Sequence, residues 1–368
     1  MIHFERYKEK TIEGRYVTLK SLQKTWLNTL DSSLVETIGS SVLGNAIFSI
    51  NLGSGPKKVL MWSQMHGNES TTTKAVLDLV NCLVAGGACG ESILENCTLC
   101  IVPILNPDGA AAYTRVNANE VDLNRDAKNR TQPESVVLRE LFERFQPDFC
   151  FNLHDQRTLF SAGKADKPAT VSFLSPSNNP ERTVDQTRTV AMQLIVAMNR
   201  MLQDQIPGQV GRYDDGFNEN CIGDTFQMLG VPTILFEAGH FQEDYQREDT
   251  RKYIFMALLE VLGVISKNRI TDFSHQEYFD IPENEKLFFD ILIRNAHLIN
   301  ESLPVNHQVG IRFVETLKNG AIDFVPEVAE VGELAASFGH SNLDCSISGH
   351  MERIERKNLL PLIQNIKS

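Results

Sequence analysis

The sequence predicts a protein of the α/β class. From about residue 57, short apolar runs alternate with longer segments in which apolar residues recur at helical spacing, as expected for strands that pack against helices. The chain has 368 residues, of which 42% are hydrophobic and 22% charged, so it can bury a sizeable core. We therefore expect strands and helices to alternate through the first part of the chain.

Five strands and four helices are predicted in this part. The clearest helix begins at Pro133, since proline fits the first turn of a helix, and Pro147 stops it before the next strand. The predicted strands are residues 59–62, 99–105, 149–153, 171–174 and 233–236, and the predicted helices are residues 70–84, 133–145, 190–202 and 253–265. Residues 106–132 and 206–221 are long, polar and without periodicity, and ordered loops of this length usually carry function.

After about residue 268 the pattern becomes β-like. Apolar runs at 287–293 and 309–314 are followed by a turn signal, Lys318-Asn-Gly320, and a further run at 321–325. The sequence therefore predicts two domains, an α/β domain over residues 1–268 and a smaller, mainly β domain over residues 269–368.

Charge and cysteine content exclude several classes of function. With 35 Lys and Arg against 47 Asp and Glu, the formal charge is −12, which argues against nucleic acid or an anionic membrane as partner. The N-terminus is charged throughout and no long apolar run occurs, so we expect neither a signal peptide nor a membrane span. The seven cysteines are an odd number and several lie in apolar runs, which indicates reduced thiols in the cytoplasm. Cys97 and Cys100 form a lone C-x-x-C motif whose side chains should point to opposite faces of a strand.

Three residues are candidate metal ligands. His66 and Glu69 lie three residues apart where a predicted strand gives way to a helix, and His154 closes another predicted strand. Because ligands bind at the carboxyl ends of strands in α/β sheets, the three side chains could meet at one zinc ion and leave a fourth position for water. An open fourth position is typical of catalytic zinc. The alternative for each histidine alone is a buried ring that is satisfied by a backbone carbonyl.

Spacing by itself does not identify this site. His240 and Glu243 repeat the His-x-x-Glu pattern, and about one such match is expected by chance in this composition. The position of His66 directly after an apolar strand distinguishes the first match from the second.

The long loop 106–132 supplies candidate substrate-binding residues. It contains Asn106-Pro-Asp-Gly109, Arg115 and Asp122-Leu-Asn-Arg-Asp126. Two arginines on such a loop could hold a substrate carboxylate and a developing oxyanion. The alternative is a set of turn-forming residues with solvated arginines.

Glu237 is a lone carboxylate that closes the apolar strand 233–236. Burying a charge there is unfavourable unless the charge takes part in function or is paired with an opposite charge. A carboxylate beside a metal-bound water can act as general base, and its apolar surroundings should raise its pKa. A structural salt bridge at the strand end is the alternative.

Taken in order, these motifs resemble the zinc carboxypeptidase (M14) family, including its succinylglutamate desuccinylase and aspartoacylase relatives, over roughly residues 55–265. The resemblance implies a mixed central sheet flanked by helices and one zinc ion on His66, Glu69 and His154. It further implies that Arg115 stabilises the oxyanion, that Asn124 and Arg125 hold the substrate carboxylate, and that Glu237 is the base that activates zinc-bound water. Tyr213, in Gly211-Arg-Tyr-Asp-Asp-Gly216, is the candidate for the tyrosine that covers bound substrate in the family's peptidases.

Three functions stay open on the sequence. The first is a carboxypeptidase-type enzyme that cleaves an amide next to a free carboxylate. The second is a deacylase of N-acyl amino acids, since His66-Gly-Asn-Glu69 and Asp122-Leu-Asn-Arg125 resemble the acylase branch. The third is a binding module that has kept the fold without the chemistry. A serine or cysteine hydrolase is disfavoured, because no G-x-S-x-G occurs and the cysteines lie in apolar runs.

Overall fold

An eight-stranded mixed sheet forms the centre of the first part of the molecule. The computed structural model describes residues 3–367, without the side chains of residues 88 and 89. The strands are β1 (Val35–Ser40), β2 (Ala46–Leu52), β3 (Lys57–Ser63), β4 (Cys97–Val102), β5 (Phe149–Asp155), β6 (Ser161–Ala162), β7 (Val171–Leu174), β8 (Val210–Arg212) and β9 (Thr233–Ala238). All of these except β6 lie in the sheet, in the order β1-β2-β4-β3-β5-β9-β7-β8. At its centre β4, β3, β5 and β9 run parallel.

Helices cover both faces of this sheet. They are α1 (Leu19–Thr25), α2 (Thr71–Val84), α3 (Ala88–Asn96), α4 (Pro107–Ala112), α5 (Pro133–Phe145), α6 (Gln186–Gln203), α7 (Ile222–Met228) and α8 (Glu248–Ser266). The central strand β3 shows the two layers directly, because Val59 and Met61 join the apolar core beneath α2, α6 and α8 while Leu60 and Trp62 join the core beneath α5 and α7. A strand buried on both faces has to be apolar throughout, which is why the sequence alternation is weak there.

The predicted α/β class and the mixed sheet flanked by helices are confirmed. The predicted helices 70–84 and 133–145 are observed within a residue of their expected ends. The helices predicted at 190–202 and 253–265 begin earlier in the structure, at Gln186 and Glu248. Their first turns are polar, so the apolar period that predicted these helices did not include them. The strand predicted at 99–105 runs from Cys97 to Val102.

Two predictions of irregular loop were partly wrong. The stretch 106–132 contains α4, whose six residues are too few to show a helical period, and 206–221 contains the three-residue strand β8. Strands β1 and β2 were not predicted; they add an antiparallel edge to the sheet.

A separate four-stranded sheet follows, as the β-like C-terminal pattern indicated. Its strands are β11 (Phe288–Arg294), β12 (Gln308–Lys318), β13 (Ala321–Gly332) and β14 (Phe338–Asp344), in the order β13-β12-β11-β14, with β10 (Asn284–Glu285) paired to β6 and helices α9 (Ser348–Arg356) and α10 (Leu360–Gln364) after the sheet. Asn319 and Gly320 have positive φ angles of 54° and 78°, as the two-residue hairpin turn between β12 and β13 requires. The division of the chain at residue 268 stays a prediction.

The C-x-x-C pair lies as expected. Cys97 belongs to the core on one face of the sheet and Cys100 to the core on the other, and both are buried free thiols. The side chain of Cys89 lies outside the described residues. Within residues 3–367, no helix combines the length and the apolar character needed to cross a bilayer.

Candidate metal centre

Three neighbouring parallel strands bring the predicted ligands to one edge of the sheet. His66 lies three residues beyond the end of β3, and His154 is the penultimate residue of β5. Glu237 lies on β9 directly opposite His154 in the strand register. The carboxyl ends of β3, β5 and β9 therefore form a single site, as the sequence indicated.

The ligand atoms of His66, Glu69 and His154 all lie within 4.8 Å of one another. His66 Nδ1 is 2.8 Å from Glu69 Oε1, and His154 Nδ1 is 2.8 Å from Glu69 Oε2. The two Nδ1 atoms are 3.1 Å apart. Both imidazoles are buried, each with 2% exposure.

These donors fit a zinc ion. Atoms that surround zinc at about 2.0–2.2 Å in a tetrahedron lie roughly 3.3–3.6 Å apart, a few tenths of an ångström more than the separations seen here. Two Nδ1 atoms that face each other and also face the same carboxylate are the arrangement expected of ligands around a shared cation. Burial alone would raise the pKa of Glu69, yet the two imidazoles hold it well below its usual range, so the carboxylate is ionised as a ligand must be.

Asp122 holds the first of these histidines in place. Its Oδ1 lies 3.0 Å from His66 Nε2, and its Oδ2 accepts from Arg115 Nε at 3.1 Å. A carboxylate on the far nitrogen of a ligand histidine fixes the tautomer and the orientation of the ring. Sequence reasoning used the neighbouring Asn124 and Arg125 and missed Asp122, although an acid at the start of the same motif was the available signal.

Asp155 ties the end of β5 to the start of α2. Its Oδ2 accepts from the backbone N–H and the hydroxyl of Thr71 at 2.9 and 2.6 Å, and from Arg15 Nη1 at 3.1 Å. The backbone N–H of Asp155 donates to Glu69 Oε2 at 3.2 Å. This residue, also missed from the sequence, therefore fixes the distance between His154 and Glu69.

Arg247 joins the two strand ends that carry His154 and Glu237. Its guanidinium is buried and donates from Nη1 to the carbonyl of Ala238 at 2.9 Å and from Nη2 to the carbonyl of Gln156 at 3.0 Å. A planar fork with fixed donors suits two carbonyls on neighbouring strands. No sequence motif marked this residue.

Glu237 faces the ligands, and its buried Oε2 has no hydrogen-bond partner among residues 3–367. Burial raises its pKa well above the ordinary glutamate value, and the carboxylates of Glu69 and Asp155 raise it further. Within residues 3–367, Glu237 forms no salt bridge, which was the alternative for this residue, and its role as a base stays a prediction.

The predicted substrate-binding residues line the same cavity, which has a volume of about 970 Å³. Arg115 is 48% exposed and its Nη1 lies 3.4 Å from Glu69 Oε1. Asn124 Oδ1 accepts from the backbone N–H of Ile222 at 3.3 Å, while Arg125 is exposed and donates from Nη1 to the carbonyl of Asn124. Tyr213 packs edge-on against Phe160, and burial raises the pKa of its hydroxyl. The roles of these four residues stay predictions.

The second His-x-x-Glu match does not form a comparable site. His240 is buried and packs against the ring of His340 at 4.2 Å, and neither of its ring nitrogens has a hydrogen-bond partner in the described part of the chain. Glu243 is exposed. Of the groups formed by residues 3–367, only His66, Glu69 and His154 bring three donors close enough for a metal ion.

A model of the zinc carboxypeptidase family matches residues 20–135. The resemblance to the zinc carboxypeptidases is confirmed. The matched zinc carboxypeptidase segment contains His66, Glu69, Arg115, Asn124 and Arg125, and it ends before His154 and Glu237.

Curated carboxypeptidases match about 30% of the chain. Carboxypeptidase 2 of Trichophyton tonsurans is 32% identical over 113 residues, which is 30% of this chain and 20% of that protein. Carboxypeptidase SOL1 of Arabidopsis thaliana is 33% identical over 119 residues, which is 29% of this chain and 24% of that protein. The chain thus matches about a fifth to a quarter of these relatives' length.

Solved carboxypeptidase structures share the fold. A metallo-carboxypeptidase from Burkholderia cenocepacia superimposes with a TM-score of 0.54 at 20% identity, covering 68% of this chain and 67% of that one. Thrombin activatable fibrinolysis inhibitor superimposes with a TM-score of 0.53 at 16% identity, covering 69% of this chain and 75% of that one. At these identities the comparison bears on the fold alone.

Proposed function

We propose that the protein is a zinc-dependent hydrolase of the carboxypeptidase type, which cleaves an amide bond adjacent to a free carboxylate. The observation that carries the proposal is the convergence of His66, Glu69 and His154 beside Glu237, whose Oε2 is buried and unpartnered. His66 Nδ1, His154 Nδ1 and the Glu69 carboxylate would hold the ion. Bound there, zinc supplies a Lewis acid and lowers the pKa of water into the neutral range.

The chain's own residues position the substrate and move the proton. Asn124 and Arg125 hold the free carboxylate, and Arg115 donates to the oxygen on which negative charge develops. Glu237 accepts the proton of the attacking water and returns it to the leaving amine, for which a raised pKa is required. Tyr213 covers the bound substrate. We place this chemistry in a catalytic domain of residues 1–268, in the cytoplasm.

A second function, deacylation of a small N-acyl amino acid, is supported by the shape of the cavity. Residues of the C-terminal sheet, among them Phe313, Glu315 and Phe324, form part of its wall. A cavity covered in this way favours short substrates. Kinetic screens of dipeptides, longer peptides and N-acyl amino acids with the same C-terminal residue distinguish the two functions by kcat/KM.

The test of the base is Glu237→Gln. Because an amide cannot accept the proton, we expect kcat to fall about 10²–10⁴-fold. Zinc content, measured by elemental analysis, should stay at the wild-type value because Glu237 is not among the three ligands. Glu243→Gln is the matched control, since this exposed residue belongs to the other His-x-x-Glu pair.

Three outcomes separate the alternatives. If Glu237→Gln keeps most of the wild-type rate, Glu237 is not the base. If the variant loses its zinc, Glu237 contributes to metal binding instead. If the wild-type protein binds zinc and hydrolyses no substrate in either screen, it is a binding module.

A further inference from the structure

The C-terminal sheet supplies a charged part of the cavity wall for which the proposed chemistry has no use. We call this part the C-terminal wall; it consists of Lys286, Asp290, Arg312–Glu315, Phe324 and Glu327–Ala329. Arg157, in the segment that follows β5, lines the cavity beside it. The two segments adjoin, because the N–H of Phe288 donates to the carbonyl of Leu159 at 3.1 Å.

Two acids of the C-terminal wall already have partners. Asp290 accepts from the Tyr245 hydroxyl at 3.0 Å and from the N–H of Phe313 at 2.8 Å. Glu315 accepts from both Arg15 and the Tyr113 hydroxyl. The oxygens of both carboxyl groups are therefore engaged within the protein, and Glu315 is also paired with a cation.

The cations of this region have no such partners. Within residues 3–367, the exposed side chains of Arg157 and Lys286 take part in no hydrogen bond or ion pair, and the half-buried guanidinium of Arg312 lies over the ring of Phe289, at 5.0 Å, without an ion pair. The Nε of Arg312 is buried and unpartnered. Glu327 lies opposite Arg312 in the strand register without forming an ion pair with it. Three cations thus face one free acid, and an unpaired guanidinium in a partly enclosed cavity favours an anionic ligand.

We propose that Arg312, Lys286 and Arg157 bind a second carboxylate of the substrate, on the acyl side of the bond that is cleaved. The proposal rests on the proposed function, in which Asn124 and Arg125 hold the first carboxylate. The substrate class is therefore an amide with a carboxylate on each side. This carboxylate is carried either by an acidic residue that precedes the scissile bond or by a dicarboxylic acyl group.

Matched substrates test the proposal and separate these two sources. Dipeptides with Glu, Gln or Lys before one fixed C-terminal residue form the first series, and N-glutaryl and N-butyryl derivatives of that residue form the second. We expect kcat/KM to be about tenfold higher for Glu than for Gln, or for glutaryl than for butyryl, and lowest for Lys. High salt should reduce the ratio of kcat/KM between the acidic and the neutral substrate, because it screens the charge of the cations. Equal kcat/KM within both series would overturn the proposal.

Variants locate the effect. Arg312→Gln should lower kcat/KM for the acidic substrate about tenfold more than for its neutral counterpart. Lys286→Gln and Arg157→Gln should reduce the same ratio, so the test does not depend on the folding of one variant. Lys318→Gln is the control, because this side chain is 70% exposed on the same hairpin and does not line the cavity. An unchanged ratio in all three cavity variants would exclude the subsite.

A binding measurement keeps this inference separate from the proposed function. Calorimetry of zinc-loaded protein compares the binding of glutarate with that of butyrate. In the wild type we expect glutarate to bind about tenfold more tightly than butyrate, and in Arg312→Gln we expect this difference to be lost. If no substrate is hydrolysed while this difference is present, the proposed function fails and the subsite stands. If substrates are hydrolysed and glutarate has no advantage in the wild type, the subsite fails and the hydrolase stands.

Discussion

The metal centre and the C-terminal wall line one cavity, but they are built differently. The ligands of the metal centre lie at or just beyond the ends of adjacent parallel strands, and two of the three are held by a further bond, His66 by Asp122 and Glu69 by Asp155. The C-terminal wall belongs largely to the hairpin β12–β13, whose residues are mostly exposed or half-buried, and among the described residues its Arg312 has no ion-pair partner. We infer that the supporting bonds make the metal centre the more rigid of the two regions, and that the C-terminal wall tolerates substitution more readily.

A small buried network connects the two regions. Arg15 donates from Nη1 to Thr71 and Asp155, beside the metal ligands, and from Nη2 to Glu315 on the hairpin. The same guanidinium therefore fixes the position of the C-terminal wall relative to the metal centre. A buried ion pair of this kind sets geometry more dependably than it adds stability.

The largest effect expected from breaking the metal centre is that of His154→Ala. With one of three ligands removed, we expect zinc to be lost on dialysis and hydrolysis to fall to background. The measurements are the zinc-to-protein ratio and kcat/KM. His307→Ala, directly before β12 and outside the cavity, is the control. Stoichiometric zinc of unchanged affinity in His154→Ala would place the ion elsewhere, and the comparison between a rigid centre and a variable wall would lose its basis.

Asp122→Asn tests whether the rigidity of the centre depends on its supporting bonds. The substitution removes the charge that faces His66 Nε2, and we expect zinc to bind about 10–100-fold more weakly. Competition with a chelator measures this affinity. Glu120→Gln, an exposed residue of the same loop, is the control. Unchanged affinity would show that Asp122 serves Arg115 alone, through its 3.1 Å bond to Nε.

The same contrast explains what could be predicted from the sequence. His66, Glu69, His154 and Glu237 follow apolar strands, and parallel strands that end at one edge bring distant residues together without any knowledge of side-chain contacts. The hairpin turn was predictable for a similar reason, since Asn319-Gly320 specifies its own backbone conformation.

Residues that act across units could not be predicted. The partners of Arg15 lie 56, 140 and 300 residues away, and nothing local to the hairpin shows that its strands face the cavity. Alternation along β12 indicates that it has two faces, but not what either face covers. The cations of the C-terminal wall therefore became candidates for substrate binding only through the fold.

The smallest expected effect concerns the stability of the junction between the C-terminal sheet and the α/β part of the molecule, where His340 packs against His240. His340, on β14, stacks on Phe288 at 4.5 Å and packs against His240, and one of its ring nitrogens lies 2.8 Å from the Thr158 carbonyl. Burial lowers the pKa of His340 to about 4, with a further contribution from Arg247, and burial lowers the pKa of His240 in the same direction. Both rings are thus neutral in the folded protein at pH 5.

Acid should therefore weaken this junction. Between about pH 6.5 and pH 4 the unfolded chain binds a proton at His340 that the folded chain does not, so the free energy of unfolding falls as the pH falls. From pH 7 to pH 5 the expected decrease is about 2 kcal/mol for His340. Urea unfolding of the zinc-free wild type at the two pH values, compared with His340→Gln, isolates this contribution, and His307→Gln is the control. An equal decrease in the wild type and in His340→Gln would mean that the C-terminal sheet is not held by the neutral histidine stack, and that Arg15 and its partners alone position the C-terminal wall.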